Sequence, residues 1–133
     1  ADESRPYPGI PELLETLQDK DYKLAVASNK YQAATEKLIA HYFPGIRFVA
    51  VFGQREGVKV KPDPAVVHDI LRIAGVSKDE VLYVGDSGVD MQTAIHSGVT
   101  SCGVTWGFRP RTELESFCPD YIVDKAETIL SIV

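Results

Sequence analysis

Apolar residues along the chain switch repeatedly between two spacings. After Pro8-Gly9, Ile10, Leu13, Leu14 and Leu17 recur at helical intervals, which predicts a helix over residues 10–20. Lys23–Ser28 (KLAVAS) is a short apolar run with a polar tip and reads as a buried strand. Residues 31–41 carry Ala34, Leu38 and Ile39 on one helical face, and Pro44-Gly45 breaks that pattern. Phe48–Phe52 (FVAVF) is the next strand. A loop restrained by Pro62 and Pro64 leads to a helical stripe of Val66, Val67, Ile70, Leu71 and Ala74, with Gly75 at the stop position. Val81–Val84 (VLYV) reads as a third strand, 89–97 as a helix and Thr100–Thr105 as a fourth strand. A short helix over 110–116, a short strand Tyr121–Val123 and a last helix over 125–132 complete the pattern.

Strands that alternate with helices predict βαβ crossovers, hence a parallel sheet covered on both faces. In open sheets of this kind a ligand binds beyond the carboxyl ends of the strands. The polar residues at those ends are therefore the ones to weigh.

Composition removes several classes. With 133 residues, 44% hydrophobic and 25% charged, the chain is neither a disordered tail nor a collagen nor a coiled coil. A net charge of −5 offers no basic surface for nucleic acid or an anionic membrane. The apolar runs are too short to span a bilayer. Cys102 and Cys118 lie far apart and fit no zinc spacing, so a reducing, cytoplasmic setting is expected.

Four features stand at strand ends or in loops. Ser28-Asn29-Lys30 follows the first strand: a hydroxyl and free backbone N–H groups before a helix make an anion site, though taken alone such residues more often serve as a helix cap. Lys61-Pro62-Asp63-Pro64 sets a lysine in a loop stiffened by two prolines, which suits a fixed cation facing an anion. Lys59 is the rival lysine and lacks that clamp. Gly85-Asp86-Ser87-Gly88-Val89-Asp90 puts Asp86 at a strand end and Asp90 one helical turn later, so both carboxylates can face one point. Paired hard oxygens of this sort suit Mg²⁺, which keeps waters and takes phosphate oxygens; acidic residues at a helix start also simply complement the dipole. Trp106-Gly107-Phe108-Arg109-Pro110 is either a pocket wall or an ordinary strand-to-helix loop.

Taken together, the sequence resembles the haloacid dehalogenase superfamily of phosphohydrolases, and within it the phosphoglycolate phosphatase-like members. Ser28 with Asn29 matches that family's second motif, Lys61 in KPDP the third, and Asp86 with Asp90 in GDSGVD the fourth. The PYPGI, WGF and PDYIVD segments are typical of the subgroup, and the likeness runs from about Pro6 to Val133. The resemblance implies Mg²⁺-dependent hydrolysis of a small phosphorylated metabolite, a phosphoglycolate-like monoester, through a covalent aspartyl-phosphate. By that resemblance Ser28 and the Asn29 backbone N–H bind the phosphoryl group and Lys61 neutralises its charge. Asp86 holds Mg²⁺, and Asp90 orients or shares that coordination, so that catalysis is mainly electrostatic.

The family's first motif, a DxDxT-type run ending the first strand, is not found. Asp19 and Asp21 precede a strand, Asp63 lies in the lysine loop, and Asp124 follows the last short strand. The helical cap that follows motif one is not found either, and the chain opens at Ala1 without Met. The expected fold is thus an incomplete three-layer Rossmann-like α/β core with a mostly parallel sheet, lacking its first strand and cap domain. Residues 1–9 would be a linker from the absent cap, and residues 10–133 a partial core domain. In the family the motif-one strand lies between the Ser28 and Asp86 strands, so a slot of about two strand spacings, ~9–10 Å, is expected there. Three further expectations follow: the chain is the C-terminal part of a longer enzyme, it is inactive alone, and it self-associates through the gap. Two other readings share some of these residues: a phosphosugar mutase of the same superfamily, and a non-catalytic receiver-like module, whose motif order differs.

Overall fold

The structure, a computed structural model, describes residues 6–133. Residues 1–5 of the expected linker lie outside that range. Pro6–Gly9 lead into helix α1 (Ile10–Asp19), where Leu13 N–H donates to Gly9 O at 3.0 Å. Strand β1 (Leu24–Tyr31), helix α2 (Gln32–Tyr42) and strand β2 (Phe48–Gln54) form a first βαβ unit. Helix α3 (Ala65–Ala74) follows and ends at Gly75 in the left-handed conformation, φ 69°. A second series runs β3 (Leu82–Gly85), α4 (Gly88–Ser97), β4 (Thr100–Val104), α5 (Arg111–Glu115) and β5 (Tyr121–Val123).

Every strand pair is parallel, as the alternation predicts, but the strands form two ladders: β1-β2, and β3-β4-β5. Helices cover both faces. On one side α1 buries Leu13 and Leu17 against Cys102, Val104, Val123, Ala126 and Ile129. On the other, Val66, Val67 and Leu71 of α3 pack with Ala94 and Val99. Strand alternation divides the side chains accordingly: Leu82 packs on the first cluster and Tyr83 on the second.

Between β1 and β3 runs a slot of about 920 Å³, lined by Leu24, Ala25 and Ala27 from one ladder and Leu82, Tyr83 and Val84 from the other. It lies where the expected gap does. Its effect is visible in the burial: no residue of β1 is buried, and Val84 of β3 is 42% exposed.

Two local expectations need correction. Strand β1 does not end at Ser28; it continues to Tyr31, and its register with β2 jumps from Ala27↔Phe52 to Tyr31↔Gln54. Residues 28–30 are therefore a bulge, in which extra residues on one strand leave backbone groups unpaired. Helix α2 starts beyond them, with Tyr31 at its N-cap and no side-chain cap bond, so neither Ser28 nor Asn29 caps it. The last segment, Ala126–Ser131, is a 3₁₀ helix. Its two buried residues, Ala126 and Ile129, are three apart, the spacing that a 3₁₀ helix places on one face.

Candidate functional site

The site is built at the bulge in the second half of β1 and at the carboxyl end of β3. Its hub is Asp90, in the first turn of α4 and buried. Four donors meet its carboxylate. Oδ1 accepts from Lys61 Nζ at 2.7 Å and from the Tyr83 hydroxyl at 3.0 Å. Oδ2 accepts from Ser87 Oγ at 3.0 Å and from the Asp86 backbone N–H at 3.2 Å. An ionised carboxylate offers about four lone-pair sites, so Asp90 is fully occupied. Burial pushes its carboxyl up, but the Lys61 charge and the bonds from Lys61, Tyr83 and Ser87 outweigh that and hold it below the usual range.

Lys61 reaches this point because its backbone is fixed. A residue before proline is held extended, which leaves its N–H and C=O open to one partner. The Asn29 side chain takes both: its Oδ1 accepts from Lys61 N at 3.0 Å, and its Nδ2 donates to Lys61 O at 3.1 Å. His96 Nδ1 lies 2.8 Å from Pro62 O, on the far side of the same loop. The Lys61 ammonium also donates to Ala27 O of β1 at 3.1 Å. Its side chain is 11% exposed, whereas Lys59 is an exposed residue; the proline clamp picks out the buried lysine.

Asp86 differs from Asp90. Among the described residues no other residue donates to its carboxylate. Burial, then the Asp90 charge, raises its carboxyl above the usual range, and Lys61 and Arg109 only partly offset this. Glycines on either side make the arrangement possible. A Cβ on Gly85 would lie 2.3 Å from the Asp90 Cβ, and one on Gly107 would lie 2.2 Å from Asp86 Oδ2. Of the Trp106–Pro110 segment, Gly107 is thus a wall beside Asp86. Trp106 packs into the α1 cluster, and Phe108 is 97% exposed.

Ser28 lies in the β1 bulge, one residue beyond the carbonyl that Lys61 holds. Its Oγ accepts from Lys30 N at 3.1 Å, which leaves the hydroxyl proton for another acceptor. Lys61, Asp86 and Asp90 are thus brought together, with Ser28 and Asn29 tied to them through Ala27 and the lysine loop. A recess touching Ser28, Asn29 and Lys61 holds about 10 Å³, room for a water-sized group. The 920 Å³ slot runs along the strands and is not lined by Ser28, Lys61, Asp86 or Asp90.

Three further residues, none of them a candidate from sequence, support the site. Ser87 caps α4 by accepting from Asp90 N at 3.3 Å, and Ser-x-x-Asp before a helix is a known start signature. Tyr83 stands two residues before Gly85, so it shares the strand face against which Asp90 packs. Burial, then the Asp90 charge, pushes its hydroxyl pKa up. Glu113 of α5 accepts from Gly88 N at 2.7 Å, a contact between distant segments that carries no local signal. Among the described residues no cluster of three or more His, Cys, Asp or Glu side chains could hold a metal ion.

This architecture is that of a haloacid dehalogenase-like hydrolase, and the chain belongs to that family, whose profile matches residues 1–104. The chain is similar to a phosphoglycolate phosphatase of Mesorhizobium japonicum, 32% identical over 126 residues, covering 95% of this chain and 55% of that protein. It is also 32% identical, over 130 residues, to a phosphoglycolate phosphatase of Haemophilus influenzae, covering 98% of this chain and 58% of the relative. The crystal structure of a predicted phosphoglycolate phosphatase from Haemophilus somnus superposes with a TM-score of 0.89 at 30% identity, covering 99% of this chain and 59% of that one. The chain therefore spans somewhat more than half the length of the relatives it matches. No described helix is long and apolar enough to cross a membrane.

Proposed function

We propose that residues 10–133 are the phosphate- and metal-facing part of a Mg²⁺-dependent phosphatase core, acting on a small phosphate monoester of the phosphoglycolate kind in the cytoplasm. The observation that carries this reading is the Lys61 ammonium, held 2.7 Å from Asp90 and close to Asp86, whose carboxylate no other described residue engages. A fixed cation beside an unpartnered carboxylate suits a metal-bound phosphate.

The residues take distinct roles in this reading. Ser28 Oγ–H and the Asn29 backbone N–H donate to phosphoryl oxygens. Lys61 balances the negative charge on the phosphoryl group and its acceptor. Asp86 would hold Mg²⁺: no other described residue donates to its oxygens, and its raised pKa marks a site that a cation would relieve. Asp90 orients that ligand through the Asp86 N–H, with its own oxygens already filled by four donors. Mg²⁺, when bound, would supply Lewis-acid stabilisation of the phosphoryl oxygens. Ser28, Lys61 and Asp90 are the side chains on which turnover depends.

An aspartyl-phosphate needs a further aspartate at this point. Among the described residues the other aspartates are engaged elsewhere: Asp63 with Ala65 N, Asp69 with Arg55 and Arg72, Asp120 with Ser101, and Asp124 with Thr105 and Arg111. Asp19, Asp21 and Asp79 stand before β1 or β3, at the opposite end. The 133-residue chain alone is accordingly expected to bind without turning over.

Calorimetry with Mg²⁺ alone and inorganic phosphate in Mg²⁺, together with ³¹P NMR of phosphoglycolate, tests this. Binding lost in Asp86→Asn for the metal and in Lys61→Met for phosphate supports the reading. Equal binding by those variants overturns it. Turnover by the isolated chain overturns the need for an outside aspartate.

A further inference from the structure

We propose that Tyr83 is a positioning residue that fixes the Lys61 ammonium by holding Asp90. A lysine ammonium is a point charge on a flexible stem, so its place is set by its acceptors. Here those are Ala27 O at 3.1 Å and Asp90 Oδ1 at 2.7 Å. Oδ1 is also the oxygen to which Tyr83 donates at 3.0 Å. Ser87 Oγ and the Asp86 N–H fix the other oxygen from the helix side. Among the described residues, Tyr83 thus supplies the one contact to Oδ1 that comes from the sheet rather than from Lys61 itself.

The tyrosine is well placed to act as a reference point. Its ring packs against the cluster of Val66, Val67, Leu71, Ala94 and Val99, while its backbone is registered with Ser101 of β4. A phenylalanine would fill the same space, so packing leaves the hydroxyl unexplained. Without the hydroxyl, Oδ1 keeps Lys61 as its sole side-chain donor, and the carboxylate can turn about its terminal bond, which is soft. The ammonium would follow.

This inference deepens the proposed function, in which Lys61 is the cation facing the phosphoryl group. The test reads the lysine directly, so its outcome is independent of whether phosphatase activity is found. In the ¹⁵N-labelled 133-residue chain, the Lys61 Nζ–H signal, assigned by its loss in Lys61→Arg, should be protected from solvent exchange. Tyr83→Phe should speed that exchange severalfold while amide exchange in the β3–β4 ladder stays unchanged. Tyr83→Leu, which also disturbs the ring packing, should speed it at least as much. Unchanged Lys61 exchange in Tyr83→Phe overturns the proposal. So does an effect in Tyr83→Leu alone, an equal rise in ladder amide exchange, or a Lys61 signal already unprotected in the wild-type chain.

Discussion

Replacing Lys61 by Met keeps an unbranched side chain one heavy atom shorter and removes its charge. Both partners of the Lys61–Asp90 pair are largely enclosed, 11% and 12% exposed, so solvent screening discounts the effect little. Breaking a buried pair from one side costs about 3–5 kcal/mol, because the remaining charge is left uncompensated. Three neutral donors still hold Asp90: Tyr83, Ser87 and the Asp86 N–H. That argues for the lower end, about 3 kcal/mol at pH 7. In a domain of this size, the loss corresponds to roughly 10 °C in Tm. The cost has a defined pH dependence. Asp90 titrates below its unfolded value in the wild type, so its stabilisation is present above about pH 4 and fades as pH falls through the folded pKa. Without Lys61 the folded pKa rises, and the two proteins should converge in acid. Urea unfolding at pH 7 and near pH 3.5 measures this directly. A loss below about 1 kcal/mol at pH 7, or one that does not shrink in acid, would show that the pair is worth no more than a surface contact.

Asp86→Asn should raise stability at neutral pH, the opposite of most polar replacements. Its folded pKa lies above the unfolded one, so ionised Asp86 destabilises the fold once pH passes the unfolded value; the gain should vanish in acid, and thermal melts across pH 3–7 follow it. Gly107→Ala would set a methyl 2.2 Å from Asp86 Oδ2 and so must displace that carboxylate; calorimetry should find weaker Mg²⁺ binding with a stability loss of about 1–3 kcal/mol. Asn29→Ala removes two hydrogen bonds to the Lys61 backbone at an exposed position; urea unfolding should show a loss near 1 kcal/mol, and weaker phosphate binding should accompany it. The Cys102 thiol, fully buried and with its pKa pushed up to about 11 by burial, should resist alkylation in the folded chain at pH 8, whereas exposed Cys118 should react, as mass spectrometry can read.

What the sequence makes legible is what depends on neighbours in the chain. The stripe from Val66 to Ala74 and Gly75 after it define α3 and its left-handed stop, because periodicity and a missing Cβ are local properties. The two prolines single out Lys61 over Lys59 for the same reason. The side chain that holds Lys61 in place was not legible in its role. The motif points to the backbone N–H of Asn29, yet it is its side-chain amide that grips a loop 32 residues away. The bulge at residues 28–30 was hidden as well: continuing β1 to Tyr31 depends on Gln54 of another strand as its register partner. Gln32, the first residue of α2, fixes that partner strand, donating to Val51 O and accepting from Gly53 N. A polar run after an apolar strand looks like the end of the strand unless that partner is known.

The two halves of the site stand on separate ladders. Ser28 and Asn29 belong to β1; Asp86 and Asp90 follow β3, and no backbone hydrogen bond joins the two strands. Their separation is therefore not fixed by strand spacing. It is fixed by α3, whose Val66, Val67 and Leu71 meet Ala27 and Phe52 on one flank and Tyr83 and Ala94 on the other. The lysine loop is the lead into that helix, so Lys61 moves with the spacer rather than with either ladder. From there its ammonium touches both, at Ala27 O and at Asp90. A disturbance of the slot would change the distance from Ser28 to Asp86 even where Lys61 kept one of its two contacts, to Ala27 O or to Asp90. Phosphate binding, which needs both halves at once, is thus a more sensitive gauge of the slot than the ion pair or the melting temperature.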